Sequence, residues 1–188
     1  MVEYQRKDRY DINDLRDIMS ILRSPQGCPW DREQIHKSIR NDFIEEVYEA
    51  IEAIDLEDTE LLKEELGDVL LQIIFHCRIE EEKSCFDFDD ICDELCKKLI
   101  IRHPHVFGDI TVSDSGEVLK NWDSIKKETK GQTSYTETLT SVAKSLPALM
   151  RAQKVGKRAM RAGMDFSCVS DAVERVKSET DELEEAIR

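Results

Sequence analysis

Four carboxylates in the first half of the chain stand at a spacing that places two side chains on one face of a helix. Glu46 and Glu49 belong to the segment EEVYE, and Glu65 and Asp68 belong to EELGD. Residues three apart share a helical face, so each pair can direct two oxygens at one point. Mg²⁺ prefers oxygen ligands, and two neighbouring helices would therefore close a candidate magnesium site. Glu45 adds a fifth acid beside the first pair.

The alternative for these acids is a solvated helix face, because Asp and Glu make up 41 of the 188 residues. Acidic pairs at helical spacing are common on exposed surfaces. The surrounding apolar residues favour the site, since they recur at helical spacing and place the acids at the border of a buried stripe. Carboxylates buried without a cation would be costly. The apolar neighbours are Phe43, Ile44, Val47, Ala50, Ile51 and Ile54 for the first pair, and Leu66, Val69, Leu70, Ile73 and Ile74 for the second.

Between the second pair of acids stands Gly67, in a segment that otherwise has the pattern of a continuous helix. Glycine inside a helix costs about 1 kcal/mol relative to alanine. Its presence indicates the close approach of another backbone or of a ligand, with a tolerated glycine as the alternative.

Three further segments accompany the acids: GCPWDREQIHKSIR at 27–40, KLIIRHPHVFGD at 98–109 and the stretch around NWDSIKKE at 121–128. In this order, the acids and segments resemble the signature of the MazG-type nucleoside triphosphate pyrophosphohydrolases, an all-α superfamily that includes the dimeric dUTPases. The resemblance covers nearly the whole chain. It implies hydrolysis of a nucleoside triphosphate to the monophosphate and pyrophosphate. The implied ion is Mg²⁺, with Mn²⁺ as a substitute, and its ligands would be Glu46, Glu49, Glu65 and Asp68.

The same resemblance implies which side chains bind the nucleotide. Lys98, Arg102, Trp122 and Lys126 match family positions that contact it, and Lys63 is a further candidate for the phosphates. Arginine offers phosphate a planar fork, lysine offers a compact charge, and an indole can cover a base. The alternatives are ordinary ones: cations near a helix C-terminus complement its dipole, and a tryptophan can belong to a half-buried core.

The catalytic set is predicted to comprise the four ligands and Glu45. A triphosphate is a polyanion, so a site made only of carboxylates would repel it, and bound divalent ions must reverse the local sign. Such an ion lowers the pKa of a bound water toward neutrality. Glu45 is not needed as a ligand and would orient or deprotonate that water.

Helical periodicity along almost the whole chain predicts an all-α fold, a bundle of four or more helices. His36 and His76, each alone in a helical stretch, are interpreted as structural. Residues 103–116 are predicted to form a loop, and Lys130–Ser134 a flexible connector. The predicted helices cover 11–23, 33–55, 59–83, Phe88–Arg102, a stretch around 118–125, 147–162 and 169–187.

The end of the chain resembles the beginning of the acidic helix, which indicates an internal repeat. SETDELEEAI at 178–187 is similar to EEVYEAIEAI at 45–54, and Glu179 and Glu182 coincide with two of the ligands. The family often carries two tandem copies, so we expect one complete MazG-like unit and the truncated start of a second. The predicted domains are an N-terminal helix at 1–24, the catalytic bundle at 25–130, a connector at 131–146 and the incomplete repeat at 147–188.

Composition bounds the partners and the compartment. The net charge of −14 disfavours binding to nucleic acid and to anionic membranes. No apolar run approaches the length of about 18 residues that a membrane span needs, and the N-terminus lacks the apolar segment of a signal peptide. Six cysteines without CxxC spacing are expected to be reduced. A cytoplasmic protein is therefore predicted, and the family resemblance implies a homodimer.

Other functions stay open at this point. A non-catalytic helical module could use the same acids to bind divalent ions or nucleotides, for interaction or regulation. A narrow pyrophosphatase such as a dUTPase would share every residue named, because base choice depends on pocket shape. A role in removing unwanted nucleotides follows from the resemblance only.

Overall fold

The computed structural model describes residues 4–129 and 134–188, including their side chains except those at 120, 123 and 126–128. This described part contains ten helices and no strand, so the predicted all-α fold is confirmed. The helices are α1 (Ile12–Leu22), α2 (Pro29–Glu33), α3 (Arg40–Asp55), α4 (Thr59–Glu81), α5 (Phe88–Arg102), α6 (Pro104–Phe107), α7 (Ser115–Thr129), α8 (Tyr135–Thr140), α9 (Ala148–Arg161) and α10 (Val169–Ile187).

Most of the predicted helices are confirmed to within two residues. The stretch 11–23 corresponds to α1, and the predicted Phe88–Arg102 coincides with α5. The helix that follows Pro147 ends before Gly163, whose φ of +79° lies in the left-handed region that favours glycine. The ends of these helices could be predicted from the sequence because turn residues flank each apolar repeat.

The predicted helix at 33–55 is wrong at its beginning. The chain leaves the helical conformation at Gln34, whose ψ is 140°, and α3 starts only at Arg40. Ser38 stabilises the intervening loop, because its hydroxyl donates to the carbonyl of Ile35 and accepts from the Ile35 amide, both at 2.9 Å. Ile39, 1% exposed, anchors the loop in the core. Periodicity missed this loop because Ile35 and Ile39 keep the four-residue spacing of a helix.

Two short helices lie in segments that were predicted to be irregular. Within the predicted loop 103–116, α6 begins at Pro104, which is suited to a first helical position. In the predicted connector, α8 is capped by Ser134 and Glu137, whose side chains bond each other's backbone amides. The stretch 130–133, the main part of the predicted flexible connector, lies outside the described residues.

The chain divides into two compact units, Met1–Leu99 and Ile100–Arg188. The division falls in the last turn of α5. The domain boundaries predicted at residues 24, 130 and 146 were drawn from the sequence pattern and not from the compactness of the fold. They stay a prediction. Among the described residues, no helix combines the length and apolar character that crossing a membrane requires.

The core of the first unit lies where α1, the α2–α3 loop and α4 meet. Its buried members are no more than 4% exposed, and partly buried side chains surround them. The buried members are Met19, Ile39, Ile74, Phe75 and Ile79, and the surrounding ones are Leu15, Leu70, Leu71 and Phe88.

Arg23, which follows α1, joins this core to the α2–α3 loop. Its guanidinium pairs with both carboxylate oxygens of Glu82 at 2.9 and 2.8 Å. It also donates to the carbonyls of Asp31 and Gln34. The same group lies over the ring of Phe75, 5.3 Å from its centroid. One buried side chain thus holds three segments together.

In the second unit, α8 packs against α9. Arg158 of α9 donates to the carbonyl of Thr138, and at 2.8 Å to the hydroxyl of Ser141. Val142, which follows α8, is 2% exposed and forms a small buried centre there.

The predicted acids lie on a hairpin formed by α3 and α4, which pack along each other. The connection is only three residues long, and within it Glu57 adopts a φ of 55°. Asp58 caps α4 by accepting hydrogen bonds from the amides of Glu60 and Leu61, both at 3.1 Å. Ala50 and Ala53 are the buried residues of α3, and their small side chains permit close contact.

Candidate metal and nucleotide site

Three of the predicted ligands come together between α3 and α4. Glu46, Glu49 and Glu65 each offer a carboxylate oxygen, and these three oxygens lie within 4.8 Å of one another. Glu46 and Glu65 are half-buried, whereas Glu49 is exposed. The helical spacing of the acids predicted such a convergence, and these three oxygens lie close together. We call these three residues the carboxylate triad.

The remaining two acids lie beside the carboxylate triad. Asp68 is half-buried one turn after Glu65, outside the set of mutually close oxygens, yet near enough for its charge to act on Glu46 and Glu65. Glu45 is exposed on α3, next in sequence to the triad but not part of it.

Charge repulsion among these acids contributes to raised pKa values at two of them, Glu46 and Glu65. Burial raises the pKa of Glu46 above its usual value, and the charges of Asp68, Glu49 and Glu65 raise it further. The pKa of Glu65 is also raised, first by burial and then by Glu49 and Asp68. Each carboxylate disfavours the ionised form of its neighbours.

A hard divalent cation suits this donor set. The triad presents oxygen atoms from two helices at one point, and a cation there would relieve the repulsion that raises the two pKa values. Water and phosphate oxygens would complete the coordination that Mg²⁺ demands. The residues present therefore fit the ion that the sequence implied.

The apolar neighbours of the acids behave differently on the two helices. On α4, Ile74 is buried and Leu70 packs on the core, as predicted, whereas Leu66 is 53% exposed. On α3, Val47 and Ile51 are 39% and 44% exposed, so the predicted buried stripe is wrong there. The reason is that α3 turns its alanines toward α4 and its larger apolar side chains outward.

Gly67 lies on the exposed side of α4, next to the carboxylate triad. A Cβ added to it would meet no atom within 4 Å in the part of the chain that is described. The predicted close approach of another backbone is therefore not supplied by the described residues.

A second group of predicted residues comes together in the unit Ile100–Arg188. The guanidinium of Arg102 lies over the ring of Trp122, 5.9 Å from its centroid. The Nε of Arg102 is buried and makes no hydrogen bond to the described residues. Both side chains are half-buried, so the arginine is desolvated against an aromatic surface.

His103 is a member of this group that the sequence analysis did not single out. Its ring meets Trp122 edge-on, with centroids 5.0 Å apart and planes at 88°. Its position next to Arg102 in the segment RHPH was the available signal. Because α5 ends at Arg102, the following histidine turns back toward α7.

Of the predicted lysines, Lys63 and Lys98 have described side chains, and both are exposed. Lys63 forms an ion pair with Glu60 in the first turn of α4, and both side chains are exposed. Lys98 is exposed on α5. The side chain of Lys126 lies outside the described residues, although its backbone belongs to α7.

The sequence matches known proteins over most of its length. The family model of the MazG nucleotide pyrophosphohydrolase domain matches residues 34–107, a range that contains both acid pairs and Arg102. A nucleoside triphosphate pyrophosphohydrolase from Escherichia coli K12 is 44% identical over 173 residues, which cover 92% of this chain and 66% of that protein. The chain thus spans about two thirds of the length of this relative.

A relative and a solved structure come from Thermotoga maritima. The nucleoside triphosphate pyrophosphohydrolase/pyrophosphatase MazG of that organism is 42% identical over 175 residues, covering 93% of this chain and 67% of the relative. The crystal structure of a mazG-related protein from the same organism superposes with a TM-score of 0.52 at 25% identity. It covers 62% of this chain and 99% of its own.

Proposed function

The chain belongs to the MazG family, and on this premise we propose that it hydrolyses nucleoside triphosphates to nucleoside monophosphates and pyrophosphate with Mg²⁺. The observation that carries the proposal is the carboxylate triad, in which oxygens from two helices lie within 4.8 Å of one another. The proposed ligands are Glu46, Glu49, Glu65 and Asp68, and Mn²⁺ is the proposed substitute ion. Relatives from Escherichia coli and Mycobacterium tuberculosis are named nucleoside triphosphate pyrophosphohydrolases, which supports the reaction.

Magnesium, when bound, supplies a water of lowered pKa and neutralises phosphate charge. In the proposed reaction the water oxygen bonds to the α-phosphorus. The bond from that phosphorus to the α–β bridging oxygen breaks, and pyrophosphate leaves with this oxygen. A carboxylate must accept the proton of the water, and Glu45 is the proposed base because it adjoins Glu46 without belonging to the carboxylate triad.

The nucleotide is proposed to bind through its phosphates and its base. Arg102 retains a buried Nε donor, and its guanidinium lies over an aromatic ring that helps to position its planar fork for a phosphate. Trp122 offers the aromatic surface for a base. Lys98 and Lys126 are proposed as further phosphate contacts, and Lys63 would have to leave Glu60 to join them.

A second copy of the chain is the proposed cover for the outer face of α3. Val47, Ile51 and Ile54 recur at helical spacing on this face and are all exposed. Leu66 is exposed on α4 beside Gly67, where no atom of the described chain approaches. A contiguous apolar face next to a charged cluster is typical of an interface. We therefore include a homodimer in the proposal, with the carboxylate triad at its edge.

The setting of the reaction follows from its substrate. Nucleoside triphosphates are cytoplasmic metabolites, and all six cysteines are free, which supports the cytoplasm as the proposed compartment. The net charge of −14 supports small nucleotides, and not nucleic acid or an anionic membrane surface, as the partner. Removal of unwanted nucleotides is the proposed role.

The proposal is tested with the purified chain and a panel of canonical and modified nucleoside triphosphates, with Mg²⁺, with Mn²⁺ and without either. Monophosphate and pyrophosphate are followed by chromatography. Glu49→Gln is expected to lower turnover at least about 100-fold, because it removes a ligand of the water-activating ion. Asp55→Asn is the matched control, since it removes one charge at the exposed end of the same helix.

Each outcome has a distinct meaning. Pyrophosphate release that requires the metal and is lost in Glu49→Gln, with the helical circular dichroism signal intact, would support the enzyme. Release from dUTP alone would narrow the substrate to that of a dUTPase. Nucleotide binding without any release would refute the reaction and leave a non-catalytic nucleotide-binding module.

A further inference from the structure

Two histidines that are 40 positions apart in sequence meet at the junction of the α2–α3 loop with α4. The Nδ1 atoms of His36 and His76 lie 2.7 Å apart. Their rings stack with centroids 5.0 Å apart and planes inclined by 21°. The other nitrogen of His36, Nε2, contacts the carboxylate of Glu80. The interpretation of both residues as isolated is therefore wrong, because the loop before α3 folds back onto α4.

The charged groups that face this pair come from α4 and the segment after it. Glu80 accepts a hydrogen bond from Lys83 Nζ at 2.7 Å. Lys83 and then His36 lower the pKa of Glu80 to about 2, so this carboxylate stays ionised. The Cys85 thiol also lies within reach of Glu80. From α3, the pair meets only the uncharged ring of Phe43 among the contacts described.

Phe43 connects the histidine pair to the helix that carries two of the proposed ligands. Its ring centroid lies 5.6 Å from that of His76. Phe43 precedes Glu46 by three residues, so both side chains lie on one face of α3. From His76 back to Asp68, α4 covers about 12 Å, and from Phe43 to Glu49, α3 covers about 9 Å toward the same end of the hairpin. The pair therefore fixes one end of the hairpin whose middle carries the carboxylate triad.

The number of protons on the two imidazoles determines whether the contact between His36 and His76 is a hydrogen bond or a repulsion. With both imidazoles neutral, His76 can donate its Nδ1–H to His36, while His36 donates Nε2–H to Glu80. With one extra proton, His36 donates from both nitrogens and His76 accepts. With two extra protons, both Nδ1 atoms carry hydrogens, and the contact becomes a repulsion of two cations.

We propose that His36 and His76, with Phe43 packed on them, form a latch that positions α3 against α4 and thereby sets the spacing of the carboxylate triad. The latch opens when both imidazoles are protonated. His36 and His76 are positioning residues, since neither touches the proposed metal or substrate. The effect of the latch on the carboxylate triad rests on the proposed function. The contact between the two histidines does not depend on that function.

The surroundings of His76 set the direction of the pH response. Burial, and then the neighbouring His36, lower the pKa of His76 below its usual value. The doubly protonated state therefore forms only below the range in which a free histidine titrates, near 6.5. The latch is closed at neutral pH and opens in moderate acid.

The test compares three forms of the full chain: wild type, His36→Ala and the double variant His36→Phe with His76→Phe. Mg²⁺ binding is measured by calorimetry at pH 8 and at 5.5, and turnover is measured against Mg²⁺ concentration. His36→Ala is expected to weaken Mg²⁺ binding about 10-fold at pH 8, as loss of supporting contacts does at metal sites. Its turnover at saturating Mg²⁺ should stay near that of wild type. The double phenylalanine variant keeps stacked rings without titration, so its binding at pH 8 should match wild type and fall less at pH 5.5.

A second measurement follows the imidazole nitrogens by NMR titration. In wild type the two rings should titrate as a coupled pair, and His36→Phe should move the pKa of His76 upward, because one neighbouring charge is lost. Unchanged Mg²⁺ binding in His36→Ala, or independent titration of the two rings, would overturn the latch. Coupled titration in a wild-type chain that binds no Mg²⁺ would instead refute the proposed function and the positioning of the site.

Discussion

The guanidinium of Arg102 lies over the indole of Trp122, with 5.9 Å between its central carbon and the ring centroid. Arg102 ends α5 and Trp122 lies within α7, so the last residue of α5 meets α7 within the second unit. His103 closes one edge of the indole. The arrangement holds a cation in place while leaving its buried Nε without a hydrogen bond to the described residues. A phosphate oxygen would satisfy that donor.

Replacing Arg102 with lysine is therefore expected to weaken nucleotide binding more than it slows turnover. Lysine keeps the charge but loses the planar fork and the guanidinium contact with the indole. We expect KM for the best nucleotide to rise about 10-fold, equivalent to about 1.4 kcal/mol, with kcat changed less. Steady-state kinetics provide the measurement, and Arg151→Lys on the exposed face of α9 is the control. An unchanged KM would place phosphate recognition elsewhere.

Binding of Mg²⁺ is expected to release protons. The pKa values of Glu46 and Glu65 are raised, so these groups take up protons at a higher pH than free carboxyl groups do, and a cation must displace those protons. Affinity should therefore fall as the pH is lowered from 8 toward 5.5. Calorimetry in two buffers of different ionisation enthalpy measures the protons released. Glu46→Gln should reduce that number, and equal heats in the two buffers would contradict the prediction.

The same shifts predict how the metal-free protein responds to pH. Because the pKa values of Glu46 and Glu65 are raised by folding, their stabilising contribution is present below the unfolded value near 4.5. It is lost as the pH rises through the folded values. Added Mg²⁺ should restore stability on the alkaline side, where the carboxylates are ionised. Thermal unfolding with and without Mg²⁺ across this range tests the sign, and a larger Mg²⁺ effect in acid would refute it.

Local sequence pattern sufficed for the hairpin that carries the carboxylates. The acids of α4 follow an apolar period that the core confirms at Ile74, and Asp58 caps the helix where the turn was expected. Spacing of three places Glu46 beside Glu49 whatever the rest of the chain does. The spacing did not predict that the acids occupy unequal positions. Asp68 lies outside the set of close oxygens.

Contacts between distant segments were beyond reach of the sequence pattern. His36 and His76 each look isolated in sequence, and only the turn at Gln34 brings the loop onto α4. Ile51 fits a helical apolar stripe equally well whether the stripe faces the core or another molecule. Periodicity identifies a face, but the identity of what covers it depends on tertiary packing and on partners.

Charging the outer face of α3 is expected to separate the proposed dimer. Ile51 is 44% exposed, and Ile51→Glu would place a carboxylate in the middle of the apolar face. Sedimentation should then show the monomer, and turnover should fall because the edge of the carboxylate triad loses its cover. Leu149→Glu, at an 86% exposed position on α9, is the control for added charge. A wild-type chain that is already monomeric and active would contradict the dimer.

Removing Arg23 is expected to cost more stability than removing any exposed cation. Its side chain is 6% exposed, pairs with Glu82 through two hydrogen bonds and also donates to the carbonyls of Asp31 in α2 and Gln34 in the following loop. Truncation to alanine leaves these acceptors unpaired and uncovers Phe75. We expect the free energy of unfolding to fall by about 3 kcal/mol, the scale measured when one partner of a buried ion pair is removed.

Lys97→Ala is the matched comparison for Arg23→Ala, because Lys97 pairs with Asp93 where both side chains are exposed. Such a pair contributes less than about 1 kcal/mol. Urea denaturation followed by circular dichroism measures both variants under the same conditions. The pKa of Glu82 is lowered chiefly by Arg23, so the difference between wild type and Arg23→Ala should shrink as the pH falls below about 4.5 and Glu82 becomes protonated. Equal losses in the two variants, or a difference independent of pH, would show that the pair does not stabilise the junction of α1, the loop and α4.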